Sequence, residues 1–120
     1  MKPDWQSVAE ETISRLQSII RFDTTNPPGN ELPLALYLET ALREEGIETT
    51  LFEPQHNRAV LVGRIRGSGK KRPVILLAHM DVVGVEREGW SVDPFAAVEK
   101  LSSRSCHRPL QGTELRTYAG

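Results

Sequence analysis

The stretch from Pro73 to Val83 reads PVILLAHMDVV, and it decides which fold we expect for this chain. Its first part, Pro73–Ala78, is a continuous apolar run, the pattern of a strand that is buried on both faces of a sheet. His79 and Asp81 follow directly, at the carboxyl end of this predicted strand. In open α/β sheets, ligands bind beyond the carboxyl ends of strands. The stretch therefore predicts a buried strand with a ligand-binding site at its carboxyl end.

Two helices are predicted upstream of this stretch. The first runs from Asp4, a good N-cap residue, to about Phe22, and it must end by Asp23 because a run of helix breakers follows. Its apolar stripe has helical spacing and consists of Val8, Thr12, Leu16, Ile19 and Ile20. The second helix is predicted to begin at Asn30 as its N-cap and to end at Gly46.

Two further strands are predicted between the second helix and the apolar run. They cover Ile47 to Phe52 and Arg58 to Ile65, where β-branched and apolar residues dominate. Two helices followed by three strands, the last fully buried, predict an α/β fold, here the first layers of a sandwich.

Composition and charge exclude several classes of function. The 120 residues include 15 Lys and Arg against 16 Asp and Glu, a net charge of -1, whereas nucleic-acid binding calls for a basic excess. No apolar run approaches the length of a membrane span, and the N-terminus lacks the pattern of a secretory signal. The single cysteine, Cys106, excludes an internal disulfide framework and a cysteine-based zinc site. We therefore expect a soluble, cytoplasmic protein without nucleic-acid or membrane partners.

The pair His79 and Asp81 suits a metal site. Neutral imidazole is a good zinc ligand, and a nearby carboxylate can accept the other ring proton and raise the basicity of the ligand. Residues i and i+2 of an extended chain point to the same side, so both side chains are expected to face one cavity. Taken alone, the two residues are more typical of a packed or partly exposed histidine near a strand end than of a metal site.

Three motifs occur in order along the chain: DTTNPPGNE at 23–31, LLAHMDVV at 76–83 and GWSVDPF at 89–95. Together they closely resemble the family that contains acetylornithine deacetylase, succinyl-diaminopimelate desuccinylase, glutamate carboxypeptidase and aminoacylase. The resemblance covers about residues 5–100. It implies a partial, truncated three-layer sandwich of the zinc-dependent exopeptidase type.

The resemblance also implies a chemistry, the metal-dependent hydrolysis of amide bonds in small peptides or N-acyl amino acids by two zinc ions. His79 matches the family's first zinc ligand, and Asp81 matches the catalytic-site carboxylate that orients and polarises that histidine. Trp90 and Asp93–Phe95 match a packing motif, for which we expect a buried aromatic pair and a turn. The loop from Thr24 to Gly29 is expected to serve structure only.

The resemblance stops after Lys100. Residues 1–100 are thus predicted to be the N-terminal part of a catalytic domain, and residues 101–120 a non-matching, disordered tail. The bridging aspartate, the catalytic glutamate and the later ligands of the family have no counterpart. Cys106 and His107 match no family site. A frame interruption near Lys100 explains the abrupt change better than a deliberately short product, and one ligand predicts a chain that is inactive alone.

Two alternatives stay open beside an inactive part of a hydrolase. The chain is also consistent with a non-catalytic interaction module that pairs through an exposed sheet edge, or with half of an enzyme completed in trans by a second polypeptide. The exact substrate, the oligomeric state and the choice among zinc, cobalt and manganese are not fixed by these residues.

Overall fold

The computed structural model describes residues 2–99. The elements follow in the order α1 (Trp5–Ile20), α2 (Leu32–Glu44), β1 (Glu48–Gln55), β2 (Arg58–Arg64) and a short 3₁₀ helix (Arg87–Gly89). Two helices followed by a two-stranded antiparallel sheet confirm the predicted α/β class. Within this described part, no helix has the length and apolar character needed to cross a membrane.

Helix α1 begins where the sequence predicts. The Asp4 carboxylate accepts hydrogen bonds from the backbone N–H groups of Gln6, at 3.1 Å, and Ser7, at 3.5 Å, and so satisfies donors that the first turn leaves unpaired. The helix ends at Ile20, before the breakers. None of its residues is buried, and its apolar positions, such as Leu16 at 53% exposure, remain largely open to solvent.

The predicted start of α2 is wrong by one residue. Glu31 rather than Asn30 occupies the N-cap position, and its side chain makes no capping bond. The physical reason is that Glu31 is buried and its carboxylate is turned toward Arg58 instead. The predicted end is confirmed, because Gly46 adopts a φ of 73°, a left-handed conformation that suits glycine just beyond a helix.

The two strands form a hairpin against α2. Their register pairs Glu48 with Arg64 and Leu51 with Leu61, and β1 extends three residues beyond its predicted end at Phe52. The core on the helix side is small, with Leu34 at 3% and Ala35 at 0% exposure. Both predicted strands are therefore confirmed, with differences only at their ends.

The third predicted strand, Pro73–Ala78, is wrong for the described structure. These residues belong to no strand, and the side chains from Val74 to Leu77 are 84–94% exposed. Strand structure requires backbone pairing with a neighbour, and a run that is buried on both faces requires covering layers. Residues 2–99 provide neither for this run, although its composition is that of a central strand.

An ion pair ties the start of α2 to β2. Arg58 Nε lies 3.0 Å from Glu31 Oε2, in the alignment of an ion pair rather than of a directed hydrogen bond. Glu31 is 3% exposed, so its charge needs this compensation. Gly29 lies against the arginine, and a Cβ there would stand 2.5 Å from Arg58 Nη1. Because Gly29 has a φ of 81°, both its conformation and its neighbour demand glycine.

We expect Gly29→Ala to lower the free energy of unfolding by about 1–2 kcal/mol, the cost of a left-handed alanine, with a further loss if Arg58 is displaced from Glu31. Urea unfolding followed by circular dichroism measures the change. Gly67→Ala is the matched control, since a Cβ at Gly67 meets nothing within 4 Å. Equal stabilities of the two variants would contradict this account of Gly29.

Candidate metal-binding site

The position of the candidate site is set by a short parallel backbone pairing between two segments. The loop after α1 meets the segment after the apolar run at an isolated bridge between Thr25 and Val82. Val82 N–H donates to Thr24 O at 3.2 Å, and Asn26 N–H donates to Val82 O at 2.8 Å. The Thr24 hydroxyl donates to Met80 O at 2.8 Å. These bonds fix the backbone on which the two predicted site residues stand.

His79 and Asp81 are in direct contact. His79 Nδ1 lies 3.0 Å from Asp81 Oδ1 and 2.8 Å from the Asp81 backbone oxygen. Both neighbours are acceptors, so the ring satisfies them when Nδ1 carries the proton. The Nε2 lone pair then remains available to a metal ion. The His79 side chain is 84% exposed, so the pair lies on an open surface rather than in an enclosed cavity.

Asn26 holds the other side of the Asp81 carboxylate. Its Nδ2 atom donates to Asp81 Oδ2 at 2.8 Å. This bond is the main cause that lowers the pKa of Asp81 below its ordinary value of 3.8; partial burial opposes the shift, and His79 adds to it. The carboxylate is therefore held in its charged form, which is the form that stabilises a proton on His79 Nδ1.

The described residues fit one position of a metal site and not a whole one. Among residues 2–99, no group of three or more His, Cys, Asp or Glu side chains is arranged to hold a metal ion. A zinc site normally takes at least three protein ligands. His79, oriented by Asp81, suits one of them.

The remaining predicted residues have mixed outcomes. Trp90 is 53% exposed, so the expected buried aromatic pair is wrong, because the described residues do not cover its ring. The expected turn is confirmed: Ala96 N–H donates to Asp93 O, and Phe95 N–H donates to the Asp93 carboxylate, both at 3.0 Å. Cys106, His107 and the predicted tail lie outside the described residues.

Sequence reasoning missed Asn26. The loop that carries it was expected to serve structure only, since its residue types explain a helix end without further contacts. Asn26 is 55 residues from Asp81 in the chain, so no local spacing connects them. The one available signal was that the loop belongs to the same series of motifs as the His79 segment.

An apolar cavity of about 210 Å³ is lined in part by Met80 and Val82, the sequence neighbours of Asp81. It is lined on one side by Ile19 and Phe22 and on the other by Met80 and Val82, and neither His79 nor Asp81 lines it. Side chains of an extended segment alternate in direction, which accounts for this division. The cavity therefore belongs to the packing between elements and not to the polar face.

Comparison with known proteins gives two partial similarities. The chain is 38% identical over 73 residues to the N-fatty-acyl-amino acid synthase/hydrolase PM20D1 of Bos taurus, covering 51% of this chain and 14% of that protein. It is 27% identical over 92 residues to the uncharacterized protein YqjN of Bacillus subtilis (strain 168), covering 72% of this chain and 17% of that protein. The chain thus spans less than a fifth of the length of these relatives.

No family model and no solved structure matches the chain. Over about half of its length the chain is therefore similar to a hydrolase, and the similarity extends no further than that.

The start of the loop carries a pH-dependent contact. Asp23 accepts a hydrogen bond from Thr25 N–H at 3.1 Å. Hydrogen bonds from the Thr25 side chain and then its backbone lower the pKa of Asp23 below 3.8, with a smaller contribution from the Arg87 charge, while partial burial opposes the shift. A carboxylate with a lowered pKa stabilises the folded state fully above its ordinary pKa, and this contribution is lost as pH falls through the lowered value.

We therefore expect the stability difference between the native chain and Asp23→Asn to be constant above pH 3.8 and to shrink as pH falls below it. The asparagine oxygen still accepts from Thr25, so the comparison isolates the charge. Urea unfolding of both proteins at a series of pH values measures the effect. Parallel stability profiles across this range would contradict it.

Proposed function

We propose that this chain is part of a metal-dependent hydrolase of amide bonds, a peptidase or an N-acyl amino acid deacylase. The contact between His79 and Asp81 carries the proposal, because it leaves Nε2 of an exposed imidazole available as a ligand. A carboxylate partner on the other ring nitrogen is the usual companion of a metal-binding histidine. Zinc is the metal we propose, as the resemblance of the motifs implies.

The roles of the two residues follow from their chemistry. His79 would ligate the metal through Nε2, and Asp81 would fix the ring's tautomer and orientation from Nδ1. A bound metal would supply a water of lowered pKa and polarise the scissile carbonyl. The lowered pKa of Asp81 keeps its charge in place for this task.

The activity of the bovine relative supports the choice of reaction. That protein is an N-fatty-acyl-amino acid synthase/hydrolase, so amide hydrolysis at an N-acyl amino acid is the chemistry we propose to test first. The fatty acyl specificity in that name is not carried over, because the similarity covers only 14% of that protein.

A complete active centre needs ligands beyond His79. Residues 2–99 contain no group of three or more possible metal ligands, so we propose that this part of the protein does not turn over substrate by itself. Ligands contributed by a second polypeptide would complete the site in trans.

A second candidate function, a non-catalytic interaction module, is favoured by one observation. The apolar side chains from Val74 to Leu77 are 84–94% exposed, as in a strand that lacks its neighbours. Exposed unpaired segments of this kind pair readily with other chains. A defined stable dimer without metal binding would favour this candidate over the hydrolase.

For the chain by itself we expect weak zinc binding and no hydrolysis of N-acyl amino acids. Titration calorimetry and an amine-release assay measure the two properties. His79→Asn should remove the weak binding, whereas His56→Asn should retain it, since the His56 side chain is 93% exposed and contacts neither Asp81 nor Asn26 in the described structure. Tight stoichiometric zinc together with turnover would show that the site is complete without further ligands.

The proposed reaction is tested by a chimera of the bovine relative in which the segment that carries the counterpart of His79 is replaced by residues 2–99 of this chain. We expect the folded chimera to hydrolyse N-fatty-acyl amino acids, because this stretch would supply an equivalent metal ligand. His79→Ala in the chimera should lower the rate by about a hundredfold or more, because losing the ligand itself should cost at least as much as losing its outer-shell partner, which typically costs about 10–100-fold. His56→Ala should leave the rate unchanged. A folded chimera that lacks activity would count against the proposal.

A further inference from the structure

We propose that Asn26 is a positioning residue for the metal ligand: its amide holds the Asp81 carboxylate so that the proton of the His79 ring stays on Nδ1. The value of this arrangement to a metal rests on the proposed function. The contacts among Asn26, Asp81 and His79 do not depend on the proposed function, and the test of the positioning role does not depend on it either.

The first observation is that Asn26 is anchored at two points. Its backbone N–H donates to Val82 O at 2.8 Å, and its side-chain Nδ2 donates to Asp81 Oδ2 at the same distance. The backbone bond fixes the Cα of Asn26 beside the segment that carries Asp81. The side chain, which is partly buried, then has a short reach to the carboxylate.

The second observation is that the two carboxylate oxygens of Asp81 contact different residues. Oδ2 accepts from Asn26, and Oδ1 lies 3.0 Å from His79 Nδ1. The amide must turn its NH₂ group to Asp81, because its own oxygen would repel the carboxylate. With Oδ2 held, the plane of the carboxylate is fixed and Oδ1 is presented to the imidazole ring.

The third observation concerns the ring. Asp81 presents two acceptors to Nδ1, its backbone oxygen at 2.8 Å and Oδ1. A free histidine side chain in water favours the proton on Nε2, so the Nδ1–H form at His79 would be imposed by these acceptors. The tautomer of His79 is therefore a spectroscopic property that reports these contacts at the ring.

The test measures ring ¹⁵N shifts in the metal-free 120-residue chain at a pH where imidazole is neutral. We expect His79 to be mainly Nδ1–H. The exposed His56, whose Nδ1 lies 3.9 Å from Glu53 Oε1, beyond hydrogen-bond distance, should be closer to the free-solution mixture. Asn26→Leu removes the donor at similar size and should lower the Nδ1–H to Nε2–H ratio of His79 about fivefold, the factor expected for one hydrogen bond. Asn30→Leu, at an exposed position of the same loop, should leave it unchanged.

Asn26→Gln keeps the amide and should recover most of the ratio; a glutamine variant no better than leucine would count against the amide. An unchanged ratio in folded Asn26→Leu would overturn the proposal. The native chain gives an independent reading that does not require any variant to fold. The Asn26 side-chain NH₂ should exchange with solvent more slowly than that of Asn30, and equal exchange would overturn the proposal as well.

The results for Asn26 can be distinguished from the results that test the proposed function. If the chimera lacks activity while the His79 tautomer still depends on Asn26, the hydrolase proposal fails and the positioning role stands. If the chimera is active while the tautomer ignores Asn26, the reverse holds.

Discussion

The candidate site depends on one short pairing, the bridge between Thr25 and Val82. It joins the loop after α1 to a segment that follows a long unpaired run. Thr24 is 2% exposed at this junction, and its hydroxyl donates to Met80 O. A buried hydroxyl without a partner costs free energy, so this threonine and the carbonyl it meets satisfy each other away from water. The backbone bond of Asn26 to Val82 is part of this pairing, and the pairing brings the Asn26 side chain within reach of Asp81.

The same loop is anchored at its other end by the ion pair between Glu31 and Arg58, packed against Gly29. The loop therefore connects the hairpin and α2 to the candidate site. A rigid connection matters for a ligand on an exposed surface, because its own packing cannot fix its orientation. Asn26 of the loop contributes to the orientation of His79 through Asp81, which lies 55 residues further along the chain.

Local patterns predicted what local forces determine. Asp4 caps α1 and Gly46 ends α2 because the groups that they satisfy lie within one helical turn. The contact between Asn26 and Asp81 was beyond such reasoning, since it exists only after the loop pairs with a distant segment. The strand predicted at Pro73–Ala78 is wrong for a related reason. An apolar run indicates that its side chains favour burial, but it does not show that neighbouring strands and covering layers are present.

The exposed run and the candidate site are consecutive in the chain, and this couples the two candidate functions. Covering the apolar side chains from Val74 to Leu77 is favourable by about 25 cal/mol for each Å² of apolar surface removed from water. His79 follows Leu77 by two residues, roughly 7 Å in extended chain, so an element that covered the run would lie close to His79. Pairing with another chain and completing a metal site would then be one event at one surface. What separates a hydrolase from an interaction module is whether the covering element brings carboxylate and imidazole groups to His79.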